Sequence, residues 1–314
     1  MGEGKGFGKT ILFGEHFVVY GLPGIASAIE NTTIAKVEKA KKFEFIDNRP
    51  EIPGYKEKKK EEIQNQIDAL LEHFKINKER NSIKITLSGN LECNSGIGAS
   101  AALASSIARA LNEMLDLGLN DEQINEIVYK AEEAGTGKGQ VSGIDNTCST
   151  FGGFILFEKN PQGGKNKIER LSIKKPIEIV LASTGITQET KKVVADVKEK
   201  KQTNEKMFEK IFREYKETCQ SAFDAIKKED WKTVGKLMDK NQELLREIGV
   251  SCKEIEEAIK AGKKAGAVGA KLTGTGRGGY VLFLTPGKEL QEKVAKAVEE
   301  KGFKTLKTLI GSSK

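Results

Sequence analysis

Apolar residues recur at helical spacing in several stretches of this 314-residue chain and at strand spacing in others. Ile63, Ile67, Leu70, Leu71 and Phe74 fall three or four apart. That spacing predicts a helix whose exposed start is the charged run 56–62. A second helix is predicted over about 100–115. Asp121 reads as the N-cap of a third, which runs to about residue 133 with Ile124, Ile127, Val128 and Ala131 on one face. "IKITL" at 83–87 alternates like a half-buried strand, and "GGFILFEK" and "IEIVLAST" read as further strands. Residues 10–20 are apolar and β-rich around a Gly-Glu-His turn. Residues 41–60 form a polar segment containing Pro50 and Pro53. Two or three long helices are expected across 186–264, then a loop entering a strand over 268–284, then a lysine-rich helix over about 288–301. No internal repeat is visible. The pattern predicts an α+β fold in two domains, 1–165 and 166–314, parted near a hairpin turn "QGGK" at 162–165.

Composition narrows the function classes. Hydrophobic residues make up 38% and charged residues 31%, as expected of a globular chain rather than a disordered one. The net charge of +7 comes from lysine mixed with glutamate throughout, and aromatic residues are only 6%. A nucleic-acid partner would need a concentrated basic face with aromatics, so none is expected; a basic pocket for a phosphorylated ligand uses the surplus equally well. Four cysteines at no C-x-x-C spacing and two histidines argue against a zinc site. Free thiols point to a reducing, cytoplasmic setting. No apolar run reaches membrane-spanning length, the N-terminus has no apolar signal core, and no membrane partner is expected. A homodimer stays open.

Three glycine-rich segments carry the candidate chemistry. The first, "NSGIGASAA" at 94–102, precedes a predicted helix. Glycines let the backbone approach a ligand, and free N–H groups at a helix start favour an anion such as phosphate. The same stretch fits the dinucleotide pattern G-x-G-x-x-A, or a tight turn before an alanine-packed helix. The second segment is "GTGKGQVSGIDN" and the third "KLTGTGRGGY". A dinucleotide fold normally needs one such loop directly after a strand, whereas "NLECNS" separates this one from "IKITL". Three loops suit a polyphosphate and a second small substrate better. "EGKGFGKT" at 3–10 imitates a P-loop, but its register puts Glu3 where glycine is required.

Asp145 sits among small residues in "SGIDN", where a carboxylate can reach a substrate hydroxyl and accept or orient its proton. A nearby cation such as Lys9 would keep it ionised and stabilise charge on a transferring phosphoryl group. Ser100 and Glu133 are of the right types to hold Mg²⁺ against ATP phosphates. A turn-capping role for Asp145 and a solvated one for Glu133 are the plain alternatives.

Together these residues resemble the GHMP kinases, a family of ATP-dependent small-molecule kinases. "GKTILFGEHFVVYG" at 8–21, "SGIGASAA" at 95–102 and "KLTGTGRGG" at 271–279 resemble its three motifs in order and spacing, over nearly the whole chain. "SGIDNTCSTFGG" at 142–153 and "NQELLREIGVS" at 241–251 resemble further family segments, and they match the homoserine kinase and galactokinase branches less well. The resemblance implies a cleft between an N-terminal ATP-loop domain and a ferredoxin-like C-terminal domain. It implies Asp145 as catalytic carboxylate with Lys9 beside it. Ser95, Gly96, Ile97, Gly98, Ala99, Ser100 and Ala101 would wrap the ATP phosphates, and Ser100 and a helix glutamate would bind Mg²⁺. Glu15, His16 and Thr190 would line the acceptor site, with Gly274, Gly276 and Gly278 shaping its floor. Three departures stand out. Ala99 replaces a frequent serine. The second loop lacks the family's His and Pro, which leaves the magnesium glutamate between Glu132 and Glu133. Arg277 replaces a common glycine, where a cation could meet a substrate carboxylate or phosphate, or point to solvent.

Overall fold

The computed structural model describes residues 1–312 except 81, 95, 139, 140, 161, 163–165 and 187. Two compact units emerge: Met1–Lys9 with Ala28–Gly152, and Thr10–Ser27 with Gly153–Ser312. The sequence suggests one boundary near 165; the compact units part at Gly152, and the segment Thr10–Ser27 belongs with the C-terminal half. The expected turn at 162–165 lies outside the described residues except for Gln162. The chain passes from the first unit to the second within strand β1 (Gly2–Phe13) and returns within β2 (Gly24–Lys39).

In the first unit, β2 pairs antiparallel with β4 (Ile83–Gly89), and the short β3 (Glu44–Asp47) lies parallel to β4. After β3 come the single turn α1 (Tyr55–Lys58) and α2 (Lys60–His73). After β4 come α3 (Ala99–Met114), α4 (Asp121–Thr136) and α5 (Ile144–Phe151). The expected apolar faces meet in one core: Ile67, Leu70 and Leu71 of α2 join Ile83, Ile85 and Leu87 of β4 and Ile124, Ile127 and Val128 of α4. Asn120, not Asp121, caps α4. Its side chain accepts from the Gln123 N–H while the Gln123 side chain accepts from the Asn120 N–H, a capping box. Asp121 instead accepts from Arg109 on α3 at 2.7 Å.

The strand β1 begins at Gly2, far earlier than the apolar pattern suggests. Gly2, Gly4 and Gly6 all point at the backbone of α3. A Cβ on each would stand 2.1 Å from the carbonyl oxygens of Ala110, Ser106 and Ala102 respectively. Two strand residues advance about 6.6 Å and four helix residues about 6 Å, so every second glycine meets every fourth helix residue. The strand therefore lies antiparallel along the helix, backbone against backbone.

The second unit opens with the hairpin of β5 (Phe154–Glu158) and β6 (Lys167–Leu171), and β5 pairs with the start of β2. Next come β7 (Ile177–Ser183), α6 (Thr190–Thr203), α7 (Glu205–Lys227), α8 (Trp231–Ile248) and α9 (Lys253–Lys264). Four helices thus stand where two or three were expected. The breaks fall at Asn204, at Asp230, which caps α8 by accepting from the Thr233 N–H, and between Gly249 and Cys252. Then follow β8 (Gly269–Thr273), β9 (Tyr280–Leu284), α10 (Lys288–Glu299) and β10 (Lys304–Ile310). β10, β7, β9 and β8 form an antiparallel run in that order. β10 escaped the sequence reading because its lysines and threonines leave no apolar run.

The glycine stripe yields a stability prediction. Gly6→Ala should lower stability by about 3 kcal/mol, because the helix backbone cannot yield to the added methyl. Denaturant unfolding of both proteins measures this; a loss under 1 kcal/mol would mean that β1 can lift off α3.

Candidate active site

In the first unit the phosphate-loop candidate is a left-handed turn feeding α3. Gly96 and Gly98 have φ of 95° and 77°, and Gly98 is the N-cap of α3 with no side-chain cap. Uncapped N–H groups and the positive end of the helix dipole therefore face outward at Ala99, Ser100 and Ala101. Ile97 is buried, and its carbonyl accepts from the Lys9 N–H at 2.9 Å. A Cβ on Gly98 would stand 2.7 Å from Lys9 Cγ, so the loop and the lysine are packed together. Ser95 lies outside the described residues.

Lys9 Nζ reaches Asp145 Oδ1 at 3.1 Å, with the lysine side chain 5% exposed and the aspartate 36%. The second glycine segment is less of a loop than the sequence suggests. Gly143 takes φ 92° and starts α5, which puts Asp145 in the first turn of a helix. There the helix dipole favours its negative charge.

Of the two helix glutamates that the sequence left open, the one within electrostatic reach of Lys9 and Asp145 is Glu132. Burial pushes its carboxyl well above the ordinary range, negative Asp145 and Glu62 push the same way, and Lys9 and an Asn146 backbone hydrogen bond oppose them. Its Oε2 is buried without a hydrogen-bond partner among the described residues. Glu133 is half-buried and hydrogen-bonds with Tyr129, one helical turn back. The hundred-degree step between successive helix residues separates the two carboxylates.

Two more residues of this unit touch the loop and were not singled out from sequence. Gln66, fully buried on α2, donates its amide to Ser100 Oγ at 2.5 Å. Arg49 donates to the Ala99 carbonyl at 3.1 Å and is held by two hydrogen bonds to Asp47, of 3.0 and 2.8 Å. The only sequence signal for Gln66 is a polar residue on the same face as Leu70.

In the second unit Glu15 and Lys271 form an ion pair at 2.5 Å, both side chains 0% exposed. Lys271 also donates to the Leu272 carbonyl. Burial lowers the lysine pKa while the Glu15 charge raises it. The next residue, His16, holds a left-handed φ of 62°. Its Nε2 lies 2.6 Å from the Thr275 carbonyl, which can only accept, so Nε2 carries the proton. Thr190 Oγ1 lies 2.8 Å from Thr275 Oγ1. Gly274 has open space at its Cβ position, whereas a Cβ on Gly276 or Gly278 would strike the Val250 or Ile186 carbonyl. Arg277 is bound within the fold: its Nε donates to the Gly249 carbonyl at 3.0 Å and its guanidinium pairs with Asp196 of α6. That pairing accounts for the cation that the sequence left between a ligand and solvent.

The family follows from matches over most of the chain. Residues 62–153 match the model of the GHMP kinases N terminal domain, and 222–304 that of the GHMP kinases C terminal. The chain belongs to the GHMP kinase family, and as such a kinase it uses ATP and a small-molecule acceptor. Mevalonate kinases are among its relatives over most of the chain. The Pyrococcus furiosus mevalonate kinase is 33% identical over 94% of this chain and 91% of its own length. The crystal structure of L. major mevalonate kinase in complex with R-mevalonate superposes with a TM-score of 0.91 at 34% identity, covering 100% of this chain and 97% of that one. The Methanococcus jannaschii mevalonate kinase, at 23% identity and a TM-score of 0.79 over 99% of this chain and 98% of its own, shares the fold. No helix among the described residues is long and apolar enough to cross a membrane.

Two predictions follow from the buried pair and its neighbour. Lys271→Met leaves Glu15 buried opposite a neutral side chain and should cost about 3–5 kcal/mol. Unfolding in urea reads this, and a loss below 1 kcal/mol would contradict a buried ion pair. His16 has its pKa lowered from 6.5, chiefly by burial, with Arg277 adding to it and the Thr275 hydrogen bond opposing. As pH falls below 6.5 the unfolded chain binds a proton that the folded one resists, so stability drops toward the folded pKa. His16→Asn tolerates the positive φ and should flatten that acid-side loss as pH falls below 6.5. Unfolding midpoints at successive pH values decide it; parallel curves for both proteins would refute a suppressed His16.

Proposed function

We propose that this chain transfers the γ-phosphoryl group of ATP to the primary hydroxyl of mevalonate, giving 5-phosphomevalonate for isoprenoid biosynthesis. The observation that carries the reading is the Lys9–Asp145 contact of 3.1 Å beside an uncapped, glycine-led helix start, in a chain similar to mevalonate kinases. Asp145 orients the acceptor hydroxyl and takes its proton. Lys9 pairs with Asp145 and stabilises charge on the moving phosphoryl group. The segment 95–101 binds the ATP phosphates through its N–H groups and the α3 dipole. Glu15, His16 and Thr190 serve the acceptor, and the turn of Gly274, Gly276 and Gly278 shapes its floor, with open space at the Gly274 Cβ position. The buried Glu15–Lys271 pair and the His16–Thr275 hydrogen bond support a rigid acceptor side, which positions its substrate at low entropic cost.

A magnesium ion fits the residues of the first unit. Glu132 has a buried oxygen without a hydrogen-bond partner among the described residues, and Ser100 offers a hydroxyl at the start of α3. An oxygen pair of this kind is what a hard cation takes. Glu132 therefore replaces Glu133 as the proposed ligand. Bound with the nucleotide, Mg²⁺ supplies charge neutralisation for the phosphates. Four free cysteines suit a cytoplasmic setting.

An ADP-release assay with mevalonate, phosphomevalonate, homoserine and galactose tests the acceptor. Turnover with mevalonate is expected; turnover with another acceptor alone would replace the substrate but keep the chemistry. ATP binding without turnover of any acceptor would favour a silent sensor. Asp145→Asn should lower kcat about a thousandfold while leaving nucleotide affinity intact. An unchanged rate would remove Asp145 from the chemistry.

A further inference from the structure

Gln66 is the polar residue that the packing of the first unit does least to explain. It sits one helical turn from Leu70 on α2, beside Ile67, and is fully buried. An apolar side chain there would extend the core, and burying an amide with unmet hydrogen bonds costs stability. Helix α4 is cut away to admit it: a Cβ on Gly135 would stand 2.8 Å from Gln66 Cγ and 3.2 Å from its Nε2. The side chain passes this gap and ends on Ser100, 2.5 Å from Oγ. Its other amide atom, Oε1, is buried with no hydrogen-bond partner among the described residues.

We propose that Gln66 is a positioning residue that orients the Ser100 hydroxyl for the cation that accompanies ATP. The inference rests on the reading that Ser100 and Glu132 hold that cation. A serine hydroxyl has one proton to give and two lone pairs. In the structure Gln66 donates, and Ser100 spends a lone pair on it. When a lone pair is engaged by a cation, the hydroxyl proton points away and needs an acceptor. Turning the carboxamide by half a revolution offers Oε1 in place of Nε2, at the same volume and with no change in charge. In either orientation one amide atom stays unpaired, so neither is strongly preferred. Glutamate could only accept, and would add a charge to a neighbourhood that already disfavours ionised Glu132. Methionine could do neither.

The test compares nucleotide binding with and without the metal. Binding of a non-hydrolysable ATP analogue is measured by calorimetry in Mg²⁺ and in EDTA, for the wild-type protein and for Gln66→Met, Gln66→Glu and Ser100→Ala. Gln66→Met should lose about tenfold in affinity in Mg²⁺, keep its affinity in EDTA and leave the mevalonate KM unchanged. Gln66→Glu, which keeps an acceptor, should recover part of the Mg²⁺-dependent increment. Equal weakening of Gln66→Met in both media, or no weakening in Mg²⁺, overturns the proposal. If Gln66→Met does not fold, Gly135→Ala, which crowds the Gln66 side chain and sets a methyl 3.0 Å from the Glu62 carbonyl oxygen, takes its place with a smaller loss expected in Mg²⁺ alone. Ser100→Ala separates the two levels. If it keeps the full Mg²⁺ increment, the Ser100 reading itself fails. If it loses that increment while Gln66→Met keeps it, only the role of Gln66 fails.

Discussion

The first unit depends on a backbone-to-backbone contact between β1 and α3. Gly2, Gly4 and Gly6 let the strand lie against the Ala110, Ser106 and Ala102 carbonyls at a distance that no side chain permits. The helix meets it with small residues, among them Ala101, Ala102, Ser105, Ser106 and Ala110, all buried. Interiors are packed too tightly to absorb even a methyl at such a contact. The contact continues farther along the strand, where Gly98 packs on Lys9 and Ile97 accepts from its N–H. The strand that carries the lysine and the helix that carries the phosphate loop are thus set in register by absent side chains.

Charge is then arranged on that frame. Lys9 faces Asp145 on the first turn of α5, and Glu132 of α4 lies within their electrostatic reach. Two cations, Lys9 and the Glu62 partner Lys59, stand against the three acids Asp145, Glu132 and Glu62, which leaves the group short of positive charge, and burial of Glu132 adds to that. A site with this imbalance is suited to a further cation. In the second unit the balance is different. Glu15 and Lys271 neutralise each other in full burial, and Arg277 is matched by Asp196. There each charge has a partner of opposite sign within the unit.

Much of the site was legible in the sequence because its chemistry is local. The glycine segments announce left-handed turns, and Gly96, Gly98, Gly143, Gly274, Gly276 and Gly278 all have positive φ. Asp145 and Lys9 stand out by residue type and company. The choice between Glu132 and Glu133 was not legible. Both lie in one predicted helix, and only the packing of α4 against its neighbours says which points inward. Gln66 was hidden for the same reason: one polar residue in an apolar stripe looks like tolerance until its partner, 34 positions away, is seen. The pattern G-x-G-x-G-x-G at the N-terminus did hold a signal. Its period of two is that of a strand, but with Phe7 as its one apolar residue it reads as a loop.

By itself, then, the sequence determined the elements with strong periodicity, the turns that demand glycine and the family, since each of these is written in neighbouring residues. The tertiary structure decided what depends on distant partners. It paired β10 with β7, gave the segment Thr10–Ser27 to the C-terminal half, joined Glu15 to Lys271 across 256 positions and tied Arg277 to Asp196. Burial and long-range contact set those outcomes, and neither is a property of any short stretch of chain.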